Sequence, residues 1–378
     1  MNFFKKQNQT QSVTQQVNTQ PVGQEPIKPI LMGEDLGYGQ VKLMSSDKCF
    51  KFLSAVGTPI SDFGRVATIT STAELLDTLT VTFEGQKYYV GHNAVVNTRN
   101  GRINLRQNKA ENEDNKIKFL TSLALLTEED SNYDEFIVVT GLPVLEFKNQ
   151  KDSLYNMMNN FGRPFEFTMH YGTKEVKKTL KVKDIQIISQ GEGAFYDYIL
   201  DENGDIILEK AGEVQGTVMV VDPGYKTTDI VTMENGRYIE TLSDQFNKGV
   251  NQIHQEVLRL IMQQLNIKKE LKDMDQIVRT GTLFHNMKEY NVKHIIEMAA
   301  KPFAEDIVDN LINLSNDQLG SMQKVILTGG GSAIIYPYIQ ELLKDIVDVT
   351  IMDDSEYCNT SGYYKYGKLL EKSGAFNA

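Results

Sequence analysis

The sequence predicts an α/β protein built from two duplicated lobes, with mixed sheets around a shared cleft. Strand and helix patterns alternate along the chain, which is typical of α/β folds. The 378 residues exceed the roughly 250–300 residues at which a single core tends to split. One turn motif, Asp-x-Gly-Tyr at the end of a strand, occurs at 35–38 and again at 222–225, which suggests an internal duplication.

The N-terminal end differs from the rest of the chain. Residues 7–20 form a polar run rich in Gln, Asn and Thr, and three prolines follow by position 29. Such a run cannot bury enough apolar surface to offset its ordering entropy. We therefore predict a disordered tail over 1–29, a first lobe over 30–190 and a second lobe over 191–378.

Apolar periodicity and turn residues predict the elements of the first lobe. Apolar runs indicate strands at 30–32, 41–44, 80–83, 87–90 and 136–140, and then a hairpin and a further strand within 165–189. Helical spacing predicts helices over 114–127 and 145–161.

The same patterns continue in the second lobe. They predict strands at 217–221, 229–233, 237–240 and 324–328. Helices are expected over 248–266, 291–314, 332–344 and 359–372, with a break or kink at Pro302.

Composition narrows the functional class. The 39 Lys and Arg residues against 50 Asp and Glu residues give a net charge of −11, which disfavours a broad groove for direct nucleic-acid binding. The two cysteines, Cys49 and Cys358, form no disulfide framework, so we expect a reduced cytoplasmic setting. We expect neither a membrane span nor a signal peptide.

The repeated turns contain the residue types of a phosphate site. Glycine lets the backbone approach a ligand closely, and successive backbone N–H groups in such a turn bind anions. Asp35 and Asp222 follow the two strands, where each could hold Mg²⁺ directly or through water. Either turn alone is typical of an ordinary β-turn, but their corresponding positions favour phosphate binding.

A third Gly-rich turn, 328–332, lies between a predicted strand and a predicted helix. Small residues there allow a nucleotide to lie against the backbone, and a helix start favours anions. Alone this is a weak signal. The sequence lacks the P-loop, HExxH, GxSxG and GxGxxG motifs.

These three motifs resemble the phosphate-1, phosphate-2 and adenosine motifs of the actin, sugar-kinase and heat-shock-chaperone ATPase superfamily. Segments similar to those of ParM-type bacterial actins, the plasmid-segregation filaments, are 138–144, 222–231, 248–250 and 359–363. The resemblance covers nearly everything except the tail. It implies an actin-type fold that binds ATP, or GTP, and Mg²⁺ between its lobes.

The resemblance also implies roles for individual residues. Asp35 and Asp222 would hold Mg²⁺ and its waters, with Asp222 also counted as catalytic. Gln190 would orient the attacking water, and Glu192 is its rival for that role. The full set of implied nucleotide-binding residues is Asp35, Gly37, Tyr38, Gly39, Lys42, Gly224, Tyr225, Lys226, Thr227, Thr228, Gly249, Gly329, Gly330 and Gly331. Glu256 and Arg279 stay unassigned for ribose and adenine contacts.

The function implied by the resemblance is that of a cytoplasmic ATPase that polymerises on ATP binding and disassembles after hydrolysis. A ParM-type filament would segregate plasmid DNA through a DNA-binding adaptor protein, without direct nucleic-acid contact. Two alternatives stay open. One is a non-polymerising small-molecule kinase of the same superfamily. The other is a membrane-associated cytoskeletal actin, which would need an amphipathic anchor such as 1–6 or 363–372.

Overall fold

The structure is a computed structural model that describes residues 27–59, 69, 71–99, 101–103 and 112–376. The tail predicted over 1–29 lies outside the described residues except for its last three. The division of the folded chain near residue 190 stays a prediction.

The elements follow one another along the chain as alternating groups of strands and helices. The strands are β1 Ile30–Leu36, β2 Gln40–Met44, β3 Cys49–Leu53, β4 Ala55–Gly57, β5 Thr80–Phe83, β6 Gln86–Val90, β7 Arg102–Ile103, β8 Tyr133–Leu142, β9 Phe165–Tyr171, β10 Lys174–Ser189, β11 Thr217–Pro223, β12 Thr228–Glu234, β13 Arg237–Tyr238, β14 Asp244–Phe246, β15 Thr282–His285, β16 Lys288–Asn291, β17 Lys324–Leu327 and β18 Val349–Ile351. The α-helices are α1 Thr72–Asp77, α2 His92–Asn97, α3 Glu113–Leu126, α4 Val144–Asn159, α5 Glu192–Ile199, α6 Leu208–Val214, α7 Val250–Leu265, α8 Met274–Thr280, α9 Lys293–Leu314, α10 Ser332–Leu343 and α11 Cys358–Ser373.

Two large mixed sheets repeat one strand arrangement. The first has the order β3-β2-β1-β8-β10-β9-β5-β6-β4-β7, and the second has the order β13-β12-β11-β17-β18, with β14 also paired to β12. β1 pairs antiparallel with β2 and parallel with β8, just as β11 pairs antiparallel with β12 and parallel with β17. This equivalence confirms the predicted duplicated α/β fold with mixed sheets.

Strand β11 is apolar on both of its faces from Val218 to Val221. In β11, Met219 and Val221 pack with the α7–α10 layer, whereas Val218 and Val220 pack with α5 on the opposite face. This alternation follows from the two-residue period of a strand. Because both faces are covered by helices, the strand is a continuous apolar run rather than an alternating one.

Helices α5 and α11 lie between the two sheets. Tyr363 of α11 packs on the first sheet beside Val139, and Phe195 of α5 packs with the core of the second sheet. The two helices cross at Gly193 and Gly362, where a Cβ added at Gly362 would collide with the Gly193 carbonyl. The last helix of the chain therefore returns to the first sheet, through a helix crossing that glycine permits.

Most predicted elements are present, with a few differences. α9 continues through Pro302, so the expected break is absent, and Pro302 lies on the exposed side of the helix. The strand expected at 237–240 ends at Tyr238 and is followed by a 3₁₀ turn over Glu240–Leu242. Within the described residues, the helices are too short or too polar to cross a membrane.

Candidate functional site

A cleft of about 570 Å³ lies between the β1–β2 and β11–β12 hairpins, a volume within the usual range of ligand sites. The turn between β17 and α10, together with parts of α7 and α8, completes its walls. The predicted residues that line it are Asp35, Gly37, Tyr38, Gly39, Lys42, Gln190, Asp222, Gly224, Tyr225, Lys226, Thr227, Gly329, Gly330 and Gly331.

The two hairpins have the same register but different charges. Asp35 lies opposite Lys42 in the first hairpin, and the Lys42 Nζ is 3.5 Å from the Asp35 carboxylate. Asp222 lies opposite Asp229 in the second hairpin. The Asp229 carboxylate accepts the Val144 N–H at 3.0 Å, at the start of α4. Asp229 thus joins the second hairpin to α4, whereas Lys42 supplies a cation to the cleft.

Asp222 is a buried carboxylate of the cleft with two side-chain donors. It is 2 % exposed, and its Oδ2 accepts hydrogen bonds from Asn359 Nδ2 at 2.5 Å and from Gln190 Nε2 at 3.3 Å. Burial raises the pKa of Asp222 above its usual value, and the neighbouring Asp35 raises it further, while the donors from Asn359 and Gln190 act in the opposite direction. A cation beside the two carboxylates would relieve this burial cost.

The donor set suits a cation that brings most of its own ligands. The described residues contain no group of three His, Cys, Asp or Glu side chains arranged to hold a metal ion. Mg²⁺ commonly keeps several waters and uses one or two carboxylates together with substrate phosphates. Asp35 and Asp222 fit that pattern.

The Gly-rich turn before α10 is required by close packing on Asp222. Gly329 has φ +77°, and a Cβ at this position would collide with the Asp222 carboxylate. A Cβ at Gly331 would collide with Val250, whereas one at Gly330 would meet no heavy atom within 4 Å. Gly329 and Gly331 therefore shape the turn, and Gly330 leaves open space in the cleft.

The two hairpin turns touch each other across the cleft. The Lys226 Nζ lies 5.1 Å from the centre of the Tyr38 ring, within the range of a cation–π contact. Tyr38 also donates its hydroxyl hydrogen to the Glu146 carboxylate on α4. A Cβ at Gly39 would be 3.4 Å from the Tyr225 side chain. The tips of the two hairpin turns therefore lie against each other at one end of the cleft.

Two predicted residues lie behind the cleft rather than in its wall. Thr228 donates its hydroxyl hydrogen to the Lys248 carbonyl at 2.8 Å. A Cβ at Gly249 would be 2.5 Å from the Lys226 carbonyl carbon, and the next residue, Val250, donates its N–H to the Gly224 carbonyl at 2.9 Å. Both positions support the second turn from its far side.

The geometry separates the two candidates for water orientation. Gln190 lines the cleft and reaches Asp222. Glu192 is outside the cleft wall, where its carboxylate accepts the Ser189 N–H at 2.8 Å. The cleft position favours Gln190.

Several cleft residues were not assigned from the sequence. Asn359 carries no local pattern that marks it, although it lies in the segment 359–363 that is similar to ParM-type actins. Glu356 accepts from Lys51 at 3.1 Å and lies 3.6 Å from Arg279, which connects β3 to α8 across the cleft. His254 meets the Tyr225 ring edge-on at 6.1 Å between centres, and burial lowers the pKa of its imidazole.

The two unassigned candidates for nucleoside contacts have different positions. Arg279 lines the cleft. Glu256 does not appear in its wall and forms an ion pair with Arg259 at 2.6 Å on the surface of α7.

Comparison with known proteins matches both halves of the chain. Residues 33–193 match the model for the N-terminal domain of actin-like proteins. Residues 220–341 match the model for the C-terminal domain of archaeal MreB-like actin homologues. Together these models span most of the chain. No curated protein matches the sequence.

Solved structures share the whole fold at low identity. A 15-stranded ParM filament from Clostridium botulinum has a TM-score of 0.74 at 24% identity, over 91% of this chain and 100% of that one. The actin-like protein Alp7A has a TM-score of 0.75 at 16% identity, over 92% and 98%. An archaeal actin homologue in complex with ADP has a TM-score of 0.72 at 16% identity, over 90% and 99%. The two matched domains and the shared fold place the chain among the actin-like proteins.

Proposed function

We propose that this chain is an ATPase that assembles into filaments when ATP binds and disassembles after hydrolysis. One observation carries the proposal. Asp35 and Asp222 lie on equivalent hairpins that face one cleft, and the 329–331 turn forms a third side. This arrangement fits a nucleoside triphosphate whose phosphates lie between the hairpins and whose nucleoside lies on the third turn.

Each cleft residue then has a chemical task. Asp35 and Asp222 would hold Mg²⁺ and its waters, and Lys42 would balance phosphate charge. The backbone N–H groups of 37–39 and 225–227 would donate to phosphate oxygens. The Gln190 amide orients the attacking water, since it already lies beside Asp222. Bound Mg²⁺ would supply charge neutralisation at the β- and γ-phosphates.

Nucleotide between the lobes would hold them closed, which favours contact between subunits. The likeness to a ParM filament supports self-association. In the complete proposal, the filament moves plasmid DNA in the cytoplasm through a DNA-binding adaptor protein. The net charge of −11 suits contact with DNA through an adaptor rather than directly.

The test is light scattering with parallel phosphate release after addition of Mg²⁺-ATP to purified protein. Scattering should rise and then fall as phosphate appears. Asp222→Ala should abolish turnover, while Asp345→Ala, which changes an exposed carboxylate, should leave it unchanged. Thermal unfolding of Asp222→Ala and of the milder Asp222→Asn would show whether a loss of turnover comes from the site itself or from unfolding of the protein. Unchanged turnover in Asp222→Ala would contradict the site assignment.

The same experiment separates the remaining classes of function. Phosphate release without scattering over a wide range of protein concentrations would contradict the filament and direct a search for kinase acceptors. Co-sedimentation with liposomes would instead support a membrane-associated filament. To test the segregation role, the gene for this chain alone is deleted from a plasmid whose partition system is otherwise intact. The plasmid should then be lost faster.

A further inference from the structure

We infer that an acidic, exposed segment at 205–209 of one copy docks into an apolar groove with a basic rim on α7 of a second copy. The inference rests on the proposed filament function and assigns two of the surfaces through which copies would associate. Below, the first surface is called the 205–209 segment and the second the α7 groove.

The α7 groove has an apolar floor and a cationic rim. It has a volume of about 580 Å³, and Leu258, Met262 and Leu271 provide its apolar side chains. The remaining lining residues are Gln255, Arg259, Gln263, Lys268 and Lys269. Met262 is 49 % exposed, so the floor is open to solvent in the single chain. Three cations on one apolar groove stand out on a chain of net charge −11.

The rim cations differ in their existing partners. Arg259 forms an ion pair with Glu256 at 2.6 Å, and Lys269 donates a hydrogen bond to the Phe284 carbonyl at 3.1 Å. Lys268 is exposed and forms no ion pair with the described residues. Lys268 is therefore the rim cation with most to gain from an acidic partner.

The 205–209 segment presents the complementary chemistry. Ile206 is 56 % exposed and Leu208 is 84 % exposed, and carboxylates flank them at Asp205 and Glu209. Asp205 is paired with Lys372 at 2.6 Å, whereas Glu209 forms no ion pair with the described residues. The apolar side chains of Ile206 and Leu208 therefore suit the apolar floor of the α7 groove. The Glu209 carboxylate beside them suits Lys268 on the rim.

The backbone holds this segment in place. Ile206 forms a β-bridge with Leu200, and the Ile207 N–H donates to the Ile199 carbonyl at 2.9 Å. Leu208 then begins α6. Because the segment is already ordered, little conformational entropy would be lost when it docks.

Other exposed apolar side chains suit the groove less well. Phe161 is 79 % exposed but lies beside Arg163, and Met287 is 91 % exposed but lies beside Lys288. Arg163 has the same charge as the groove rim, and Lys288 separates Met287 from the carboxylate of Glu289. Ile346 has acidic neighbours, yet it is only 44 % exposed. Charge and exposure together favour Leu208.

Two features of this contact agree with a nucleotide-dependent filament. The two surfaces are different, so the contact is heterologous and can continue from copy to copy without closing into a dimer. Leu271 lines both the α7 groove and the nucleotide cleft. A segment docked in the groove would therefore touch a side chain that also borders the nucleotide.

Disulfide crosslinking tests which surfaces meet. In a Cys49→Ser background, Leu208→Cys protein is mixed with Met262→Cys protein in Mg²⁺-ATP and oxidised briefly. A covalent dimer should form only in the mixture, and the double variant Leu208→Cys/Met262→Cys should give a ladder of oligomers. Phe161→Cys and Ile346→Cys are matched controls that should not crosslink to Met262→Cys. The native Cys358 is buried.

The outcomes separate this contact from the proposed function. If the Cys49→Ser parent sediments with ATP but Leu208→Cys and Met262→Cys do not crosslink, or if Ile346→Cys crosslinks equally well, the assigned surfaces are wrong while the filament stands. If the parent binds ATP but does not sediment, the filament and this contact both fail.

A charge exchange provides an independent check. Glu209→Lys and Lys268→Glu should each raise the critical concentration for sedimentation several-fold, up to roughly tenfold. The combined variant should return toward the wild-type value, since the pair is restored with reversed signs. ATP affinity measured at concentrations below assembly should stay unchanged in all three variants. Losses that add in the combined variant would contradict direct pairing.

Discussion

Asn359 donates a hydrogen bond from Nδ2 to Asp222 Oδ2 at 2.5 Å, and its Oδ1 accepts the N–H groups of Gly191 and Ala194 at 3.3 and 3.2 Å. One amide on the last helix thus joins the second hairpin to the start of α5. Both ends of this connection are buried. The orientation of the Asp222 carboxylate therefore depends on how α11 packs between the sheets.

Asn359→Ala removes this connection and leaves buried polar groups without a partner. We expect the free energy of unfolding to fall by about 1–3 kcal/mol, and ATP turnover to fall as well because Asp222 loses a donor. Denaturant unfolding and phosphate release measure the two effects. Asn313→Ala, an exposed asparagine on α9, is the control. Equal effects of the two substitutions would contradict a special role for Asn359.

Gly329 and Gly330 differ sharply in the space beside them. Gly329→Ala would force a Cβ into the Asp222 carboxylate at a positive φ, whereas Gly330→Ala meets no heavy atom within 4 Å. We expect Gly329→Ala to lower stability by about 1–3 kcal/mol and to abolish turnover. Gly330→Ala should fold normally and show its effect in nucleotide affinity. Thermal unfolding with and without ATP distinguishes these outcomes, and normal folding of Gly329→Ala would contradict the packing argument.

Gln190→Ala should slow hydrolysis more than it weakens binding. Loss of an oriented amide is expected to lower the single-turnover rate on the order of 100-fold, while the Kd for ATP changes little. Gln190→Glu keeps an oxygen acceptor for the water but loses the amide donor to Asp222, so its rate should lie between those of wild type and Gln190→Ala. Equal losses of rate and affinity in Gln190→Ala would move the role elsewhere, and Glu192→Gln would then be the next variant.

The raised pKa of Glu192 predicts that the free energy of unfolding depends on pH. Burial raises the pKa of Glu192 from 4.5 to about 7, despite opposing contributions from the Ser189 N–H and Lys151. The folded protein therefore binds this proton more tightly than the unfolded chain does. The contribution of the protonated Glu192 to the free energy of unfolding is fully present below about pH 4.5. This contribution is lost as the pH rises to about 7.

Glu192→Gln should flatten this part of the stability curve. The difference between wild type and variant should change by up to about 3 kcal/mol between pH 4.5 and pH 7. Denaturant unfolding across that range is the measurement, and Glu305→Gln, an exposed carboxylate on α9, is the control. A wild-type curve that stays parallel to that of Glu192→Gln would show that the carboxyl titrates at its ordinary pKa.

The sequence predicted strands and turns best where a short pattern of turn residues and apolar runs occurs twice in the chain. The 35–42 and 222–229 hairpins were found because turn glycines and apolar runs act over a few residues. Helix α5 was missed. It contains a glycine and packs between two sheets, so it shows no clear apolar stripe. The β15–β16 hairpin was missed because its strands are short and largely exposed.

The sequence by itself determined the duplicated hairpins, the Gly-rich turn and the residue types that suit phosphate and Mg²⁺. Those features are local, since backbone geometry and side-chain chemistry act over neighbouring residues. Only the tertiary structure decided that Asn359 reaches Asp222, that Lys226 lies over Tyr38, and that Gly249 supports the second turn from behind. These contacts join residues that are far apart in the chain, and they depend on how the two sheets and their helices pack together.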